Sequence, residues 1–371
     1  MKKTFETTSL NDNLALPNRL VMAPTTTWSS NEDQTVADQE LAYYQARAHD
    51  ISMLITGCAH VSENGVGFTN EIGIYDDRFI PGLTKEANVI KQGGVKAIMQ
   101  LNHAGNKALP ELIGAENIVG PSPVITDMIP NAVKPHELTD KEIQEIIHDF
   151  GEATRRAIQA GFDGVEIHGA HGFLIQNFLS PHFNHRTDEW GGSEENRLRF
   201  AIEVFKEVQR VAKEYANDSF IIGWRISPDE HYQDGLRIGE INHLIDQLIQ
   251  LGVTYVHASL TKATEVTPRG TDGTMTTVET LAKNIDHRVP LMVAGTIQDG
   301  HDAQKVLDLG ADLVAVAHGL VTDLDWAKKV KAGNNDQLHL SISQDDIEAL
   351  KIPDGLWTTI QNSGNWFNIV K

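Results

Sequence analysis

Gly161-Phe162-Asp163-Gly164-Val165-Glu166-Ile167-His168-Gly169-Ala170-His171-Gly172 opens a stretch that continues as FLIQNFLSPHFNHRTDEWGGSEENRLRF to Phe200. Gly164 to His168 has the pattern of a short buried strand, and Gly169 to Gly172 hands that strand over to a loop. His168 and His171 thus stand together at one strand's end. A lone histidine is most often a satisfied structural residue, but this pair sits beside a long polar loop, Ser180 to Gly192, of a kind that is usually functional. A helix is expected from Ser193, with Glu194, Glu195 and Asn196 in its first turn.

Outward from this stretch, strand-like runs alternate with amphipathic helical ones. The eight runs are Leu20–Thr27, Ile51–Val61, Val95–His103, Gly164–Gly169, Phe220–Ser227, Val253–Leu260, Pro290–Thr296 and Leu313–Gly319. Eight strand–helix units spell an α/β protein of the (β/α)8 TIM-barrel type. A doubly wound sheet competes, but no Gly-x-Gly-x-x-Gly follows any of the strands. Residues 1–335 form one barrel domain in this reading, with 1–19 capping its bottom, and 336–371 are a C-terminal extension packed on it. A proline-rich loop between Lys107 and Pro135 follows the third strand and is expected to lie over the barrel top.

Lys plus Arg total 31 against 51 Asp plus Glu, a net charge of −20 over 371 residues, with no basic run. Nucleic acid is therefore not expected as a partner. No stretch of about 18 apolar residues suggests a membrane span, and the N-terminus has no apolar signal region, so a soluble cytoplasmic protein acting on a small molecule is expected. A homo-oligomer stays open. Cys58 is the only cysteine, which excludes intramolecular disulfides, Cys-ligated zinc and a protein-held iron–sulfur cluster. Redox chemistry would need an organic cofactor.

Barrel active sites lie at the C-terminal ends of the strands. Those ends offer Pro24 to Trp28, Cys58, Gln100, His168 and His171, Arg225, His257 to Ser259, Ala294-Gly295-Thr296 and Ala317-His318-Gly319. Hydrogen bonders dominate and carboxylates are nearly absent, with only Glu166 near the mouth. Two facing carboxylates for glycoside hydrolysis are lacking, as is a strand-end lysine for Schiff-base chemistry, since Lys107 and Lys262 lie in loops. No metal site is expected. A planar, amide-rich cofactor fits better: Gln100 can donate and accept at a pyrimidine edge, Arg225 can hold negative charge, and the glycine-containing ends can offer N–H groups to a phosphate.

These residues resemble the old yellow enzymes, FMN-dependent NAD(P)H oxidoreductases and ene-reductases on a (β/α)8 barrel. The resemblance runs from Asn18-Arg19-Leu20-Val21-Met22-Ala23-Pro24 to Asp323-Leu324-Asp325-Trp326, and its most specific part is Ser180-Pro181 with Asn184 to Ser193 and Glu195-Asn196-Arg197. It implies FMN as cofactor, NADH or NADPH as hydride donor, and a small acceptor such as an enone, quinone, flavin or dioxygen. It further implies that Pro24, Thr26, Cys58, Gln100 and Arg225 approach the flavin, and that Ala294, Gly295, Thr296, Ala317 and His318 bind its phosphate. His168 and His171 would hold a ligand oxygen, His168 also facing the flavin, with Thr26 assisting catalysis and Trp28 and Phe173 lining the substrate pocket. For Trp28, ordinary core packing is an equal alternative.

Two departures from the family pattern stand out. His318 replaces an arginine, which shifts phosphate binding to backbone N–H groups, Arg288 or Lys262. Phe173 replaces a tyrosine that protonates the substrate α-carbon, so ene reduction needs water or another donor such as Tyr232. A flavin- or phosphate-binding barrel without efficient turnover stays open beside the oxidoreductase. So does a metal-assisted hydrolase using His168, His171, His182 and His185.

Overall fold

The computed structural model describes residues 3–11, 13–364 and 366–370. Eight parallel strands close into a barrel: β1 (Leu20–Met22), β2 (Met53–His60), β3 (Lys96–Asn102), β4 (Gly164–Gly169), β5 (Ile221–Ile226), β6 (Tyr255–Ser259), β7 (Leu291–Ala294) and β8 (Leu313–Val316). Neighbours in sequence are neighbours in the sheet, and the β8–β1 and β1–β2 pairings close the ring. The outer ring consists of α1 (Asp38–Gln45), α2 (Ile80–Gln92), α3 (Asp140–Ala160), α4 (Glu194–Tyr215), α5 (Ile238–Leu251), α6 (Thr277–Ile285), α7 (Gly300–Asp308) and α8 (Trp326–Ala332).

The two-residue pleat sorts the strand side chains into two cores. Leu54, Val165, Ile167, Trp224, Val256, Val293 and Val314 face the helices. Val21, Met53, Ile98, Ile221, Tyr255, Met292 and Leu313 fill the barrel interior, where Leu10 and Leu16 of the hairpin Thr8–Asn11/Leu14–Leu16 join them. The interior is thus packed and plugged at one end. Ligands are left only the other.

Capping defines the helix that feeds β4. Thr139 and Glu142 form a reciprocal capping box at the start of α3, and Gly161, at φ +89°, ends it in the left-handed region that glycine tolerates. Ser193 caps α4 by accepting from the Asn196 N–H, so the sequence signal at Ser193 is realised.

Two differences from the sequence reading concern strand ends and a third concerns a loop. β1 stops at Met22 rather than Thr27, because Pro24 has no N–H for the ladder and releases Thr25 to Trp28 to the barrel mouth. β8 stops at Val316, and Ala317 turns into a short helix, His318–Thr322. The loop Ser180 to Gly192 has a structural task. Asn184 donates to the Phe178 and Trp190 carbonyls, and buried Arg186 donates to Pro121 O and Leu138 O while pairing with Asp188. The loop ties the segment after β3 to the barrel wall, and none of its residues lines the cavity described next.

Candidate active site

At the C-terminal ends of the strands lies a cavity of about 630 Å³. Strand register builds its floor. Cys58 pairs with Gln100, Gln100 with Glu166, His168 with Arg225, and Arg225 with His257. Inward residues of adjacent strands therefore form one polar layer above the apolar interior. A bulge between Ile55 and Cys58 shifts the β2 alternation and brings Cys58 to the cavity. Gly57 lets β2 approach the rim, since a Cβ there would lie 3.0 Å from Thr25 O.

Glu166 is the hub below the floor. Fully buried, it accepts from Gln100 Nε2 at 2.7 Å, His257 Nδ1 at 2.9 Å and the Tyr255 hydroxyl at 3.0 Å. Burial alone would raise its pKa, but His257, Arg225 and Gln100 together outweigh burial and hold it below the ordinary carboxylate value. Burial keeps His257 neutral in turn. With Nε2 spent on Glu166, Gln100 presents its carbonyl oxygen to the cavity. Arg225 donates from Nη2 to Ser259 Oγ at 3.2 Å, while its buried Nε has no partner. An orphaned guanidinium nitrogen at a cavity wall calls for an acceptor.

His168 accepts the Ala170 N–H on Nδ1 at 3.3 Å, so its proton sits on Nε2. Its ring centre lies 5.0 Å from that of His171 and 4.9 Å from that of Phe173. His171 adopts φ +59° and sets Nε2 2.8 Å from Ser259 Oγ, so a ligand oxygen must share or displace that contact. Burial first, then neighbouring cations, pulls both imidazoles well below the ordinary histidine value. They are neutral donors at neutral pH.

At the opposite end, Gly295 and Thr296 take φ of +155° and +47°, and a Cβ on Gly295 would lie 2.6 Å from Leu260 O. Among the described residues the N–H groups of Gly295, Thr296 and Ala317 meet no acceptor, and His318 Nε2 is buried without a partner. Such a cluster of unpaired donors suits a phosphate. Arg288 is committed to Asp246 and to the Asn284 and Ile285 carbonyls, and Lys262 pairs with Glu265. Neither lines the cavity, which removes both from the expected phosphate contacts. The donor set as a whole fits FMN: an amide and a cation at one end, unpaired N–H groups at the other.

All the residues that sequence reading assigned to cofactor or substrate line this cavity: Pro24, Thr26, Trp28, Cys58, Gln100, His168, His171, Phe173, Arg225, Ala294, Gly295, Thr296, Ala317 and His318. Cys58 is buried and its thiol is pushed up by burial, so it stays protonated, 3.7 Å from Thr26 Oγ1. Trp28 meets Phe68 and Trp366 edge-on and is half-buried at the mouth. Tyr232 lines only an adjoining cavity of about 690 Å³, with its hydroxyl donated to Asp127. His182 pairs with Asp234 and stacks on Tyr232, away from His168. No three His, Cys, Asp or Glu side chains converge on a metal-sized site among the described residues.

Sequence reading missed Phe68, Lys107, Trp366 and Phe367 as lining residues, and it named Ser259, which also lines the cavity, only as a strand end. Lys107 had been set aside as a loop residue, and Trp366-Phe367 stands in a segment with no periodic signal. A larger cleft, of about 790 Å³, lies elsewhere; the carboxylates of Glu32 and Glu63 line it and no Lys or Arg does, so it offers an anionic cofactor no counter-charge. No helix among the described residues is long and apolar enough to cross a membrane.

The family model described as NADH:flavin oxidoreductase / NADH oxidase matches residues 5–337. The probable NADH-dependent flavin oxidoreductase YqiG of Bacillus subtilis (strain 168) is 40% identical over 98% of this chain and 97% of its own length. The NADH:fumarate oxidoreductase of Klebsiella pneumoniae (strain 342) is 41% identical over 92% of this chain, which spans 37% of that larger protein. Among solved structures, morphinone reductase in complex with tetrahydroNAD superposes with a TM-score of 0.77 at 25% identity, covering 89% of this chain and 91% of that one. A cavity built for a flavin at the mouth of a (β/α)8 barrel, and relatives along the whole chain, lead to one conclusion: the protein belongs to the NADH:flavin oxidoreductase / NADH oxidase family, with the old yellow enzymes, and is an FMN-dependent NAD(P)H oxidoreductase.

Proposed function

We propose that the final acceptor is a small conjugated molecule, an enone or a quinone, with free flavin and dioxygen as further acceptors, and that it binds against His168. The observation that carries this reading is the neutral Nε2–H of His168, which is held by Ala170 and lies at the cavity that also contains the cofactor's donor set. A neutral imidazole donor polarises a carbonyl without bringing a charge that the buried site would have to solvate.

The chemistry FMN supplies when bound is the reversible acceptance of a hydride. The chain's own residues do the rest. Gln100, fixed by Glu166, and Arg225, with its unpaired Nε, hold the pyrimidine edge and stabilise negative charge there. Pro24 and Thr26 border the ring, and the N–H groups of Gly295, Thr296 and Ala317, together with His318, take the phosphate. His168 orients the acceptor oxygen, and His171 joins it once Ser259 is displaced. Trp28, Phe68 and Phe173 exclude water from the acceptor.

The test is spectroscopic. The purified protein is expected to be yellow, with bands near roughly 370 and 450 nm that bleach anaerobically on adding NADH or NADPH and return with a quinone or an enone. A yellow protein that no pyridine nucleotide bleaches would instead identify a binding barrel without turnover.

A further inference from the structure

Phe173 leaves the enone reaction one proton short. A carbon–carbon double bond that receives a hydride at its β-carbon becomes an enolate, whose oxygen His168 can hold, and the α-carbon then needs a proton. Phe173 has none to give and sits in an apolar cluster with Ala104, Ala108, Ile118 and Phe68. Tyr232 is committed to Asp127 in the adjoining cavity.

One group with a proton stands beside that ring. The Lys107 ammonium lies 4.5 Å from the centre of the Phe173 ring and 2.9 Å from His171 O. It lines the cofactor cavity and also the adjoining one, whose lining includes the solvent-exposed His231, Thr267 and Arg269. Among the described residues no carboxylate pairs with it, an uncommon state for a largely buried lysine.

We propose that Lys107 is the general acid that delivers this proton, a role that rests on the oxidoreductase reading above. The β-carbon accepts the hydride and its electron pair. The π pair moves to the α-carbon and carbonyl oxygen, and the α-carbon takes a proton from Lys107 Nζ. Lys107, left as a neutral amine, regains its proton from water in the adjoining cavity. Burial pulls its pKa down to about 8, into the range where a general acid is effective near neutrality. The groups that face it leave that value in place. His168 and His171 are neutral through burial and Cys58 is a protonated thiol. Across the adjoining cavity Asp229 is occupied by Arg269, Glu230 by Gln176 and Ser180, and His231 and Tyr232 by Asp127.

The experiment uses FMN-loaded protein, reduced anaerobically by NADH and mixed in a stopped-flow instrument with cyclohexenone or benzoquinone between pH 6 and 9.5. In wild type the enone rate should fall about tenfold per pH unit above about pH 8, with no such fall for the quinone. Lys107→Met should lower the enone-to-quinone rate ratio at pH 7 by roughly 10²-fold or more. Lys107→Arg keeps a cation but cannot release a proton, and it should lower the ratio as far. A second readout needs no turnover. The charge-transfer band of bound pentafluorophenol, ionised throughout this range, should report an affinity that drops through about pH 8 in wild type and shows no step in Lys107→Met or Lys107→Arg. A ratio unchanged in either variant, an enone rate as flat with pH as the quinone rate, or no enone reduction at all overturns the proposal. Failure of NADH to bleach wild-type flavin would instead overturn the oxidoreductase reading.

Discussion

Arg225 shows at the scale of one residue how the floor of the site is poised. Burial lowers the pKa of its guanidinium while Glu166 beneath and Ser259 beside it hold it in place, leaving Nε without a partner. A cation so placed favours the form of the cofactor that carries more negative charge. Arg225→Ala should therefore lower the flavin reduction potential by at least about 30 mV, the equivalent of about 1.4 kcal/mol for a two-electron couple. Potentiometry with a reference dye reads this directly, and an unchanged or higher potential would remove Arg225 from the flavin edge. The histidines should behave differently. His168→Ala with His171→Ala is expected to abolish the long-wavelength band of phenolic ligands while FMN stays bound; loss of FMN with phenol binding intact would reverse that placement. Phe173 and Lys107 can be played against each other. If Lys107 is the acid, Phe173→Tyr placed in the Lys107→Met background should restore enone turnover by at least about tenfold, because a phenol would then stand where only a ring edge did. No recovery in that double variant, with quinone turnover intact, would leave Phe173 as packing alone.

Elements differ in how much of themselves they wrote into the sequence. The eight strands and their helices were legible because buried parallel strands are continuous apolar runs and their helices carry capping residues such as Thr139 and Ser193. The residues lining the cavity followed from strand ends and from family resemblance. The Ser180–Gly192 loop was misjudged: its polar side chains satisfy backbone groups inside a wall, as Asn184 and Arg186 do, and composition cannot tell that from ligand binding. The bulge before Cys58 was invisible for a related reason, since one extra residue leaves no periodic trace. Trp366 and Phe367 were invisible as site residues because they arrive from the far end of the chain. Their rings lie 5.9 and 4.5 Å from the His318 ring, edge-on, and line the same cavity as His318, Gly295, Thr296 and Ala317. Trp366→Ala with Phe367→Ala should therefore weaken FMN retention by about tenfold or more, as water gains access to the phosphate contacts. Fluorescence titration of apoprotein with FMN measures it, and an unaltered affinity would make the pair a substrate-side wall only.

The whole molecule carries buried ionisable groups of two kinds, and together they set a pH of greatest stability. Glu40, pushed up by burial to about 7, Glu71, pushed up to about 8, and Glu86, raised well above its ordinary value with neither oxygen partnered, are carboxyls that fold as acids. Each ionises near 4.5 when unfolded, so its contribution is fully present below that value and is lost as pH climbs through the folded one. His60 and His103, pulled by burial to about 3, with His168, His171 and His257, fold as neutral bases. Their contribution is present above an unfolded value of 6.5 and is lost as pH falls. Between 4.5 and 6.5 the unfolded chain holds protons on His60, His103, His168 and His171 that the native protein lacks, with His257 and His318 shifted the same way, and the native protein holds protons on three carboxyls, so stability rises with pH. From 6.5 to about 8 the carboxyls dominate and the slope reverses; above about 8 Lys107, neutral in the native protein and charged in the unfolded chain, opposes them. Each such group contributes at most about 1.4 kcal/mol per pH unit, so the maximum should fall near pH 6.5 with a marked decline by pH 8.5. Denaturant titrations from pH 5 to 9, with FMN in constant excess, trace the curve. Glu86→Gln should gain more stability relative to wild type at pH 8.5 than at pH 6, because the cost of keeping the wild-type side chain protonated grows with pH above 4.5. A wild-type curve still rising at pH 8, or a Glu86→Gln effect independent of pH, would show that these carboxyls are solvated in the native protein.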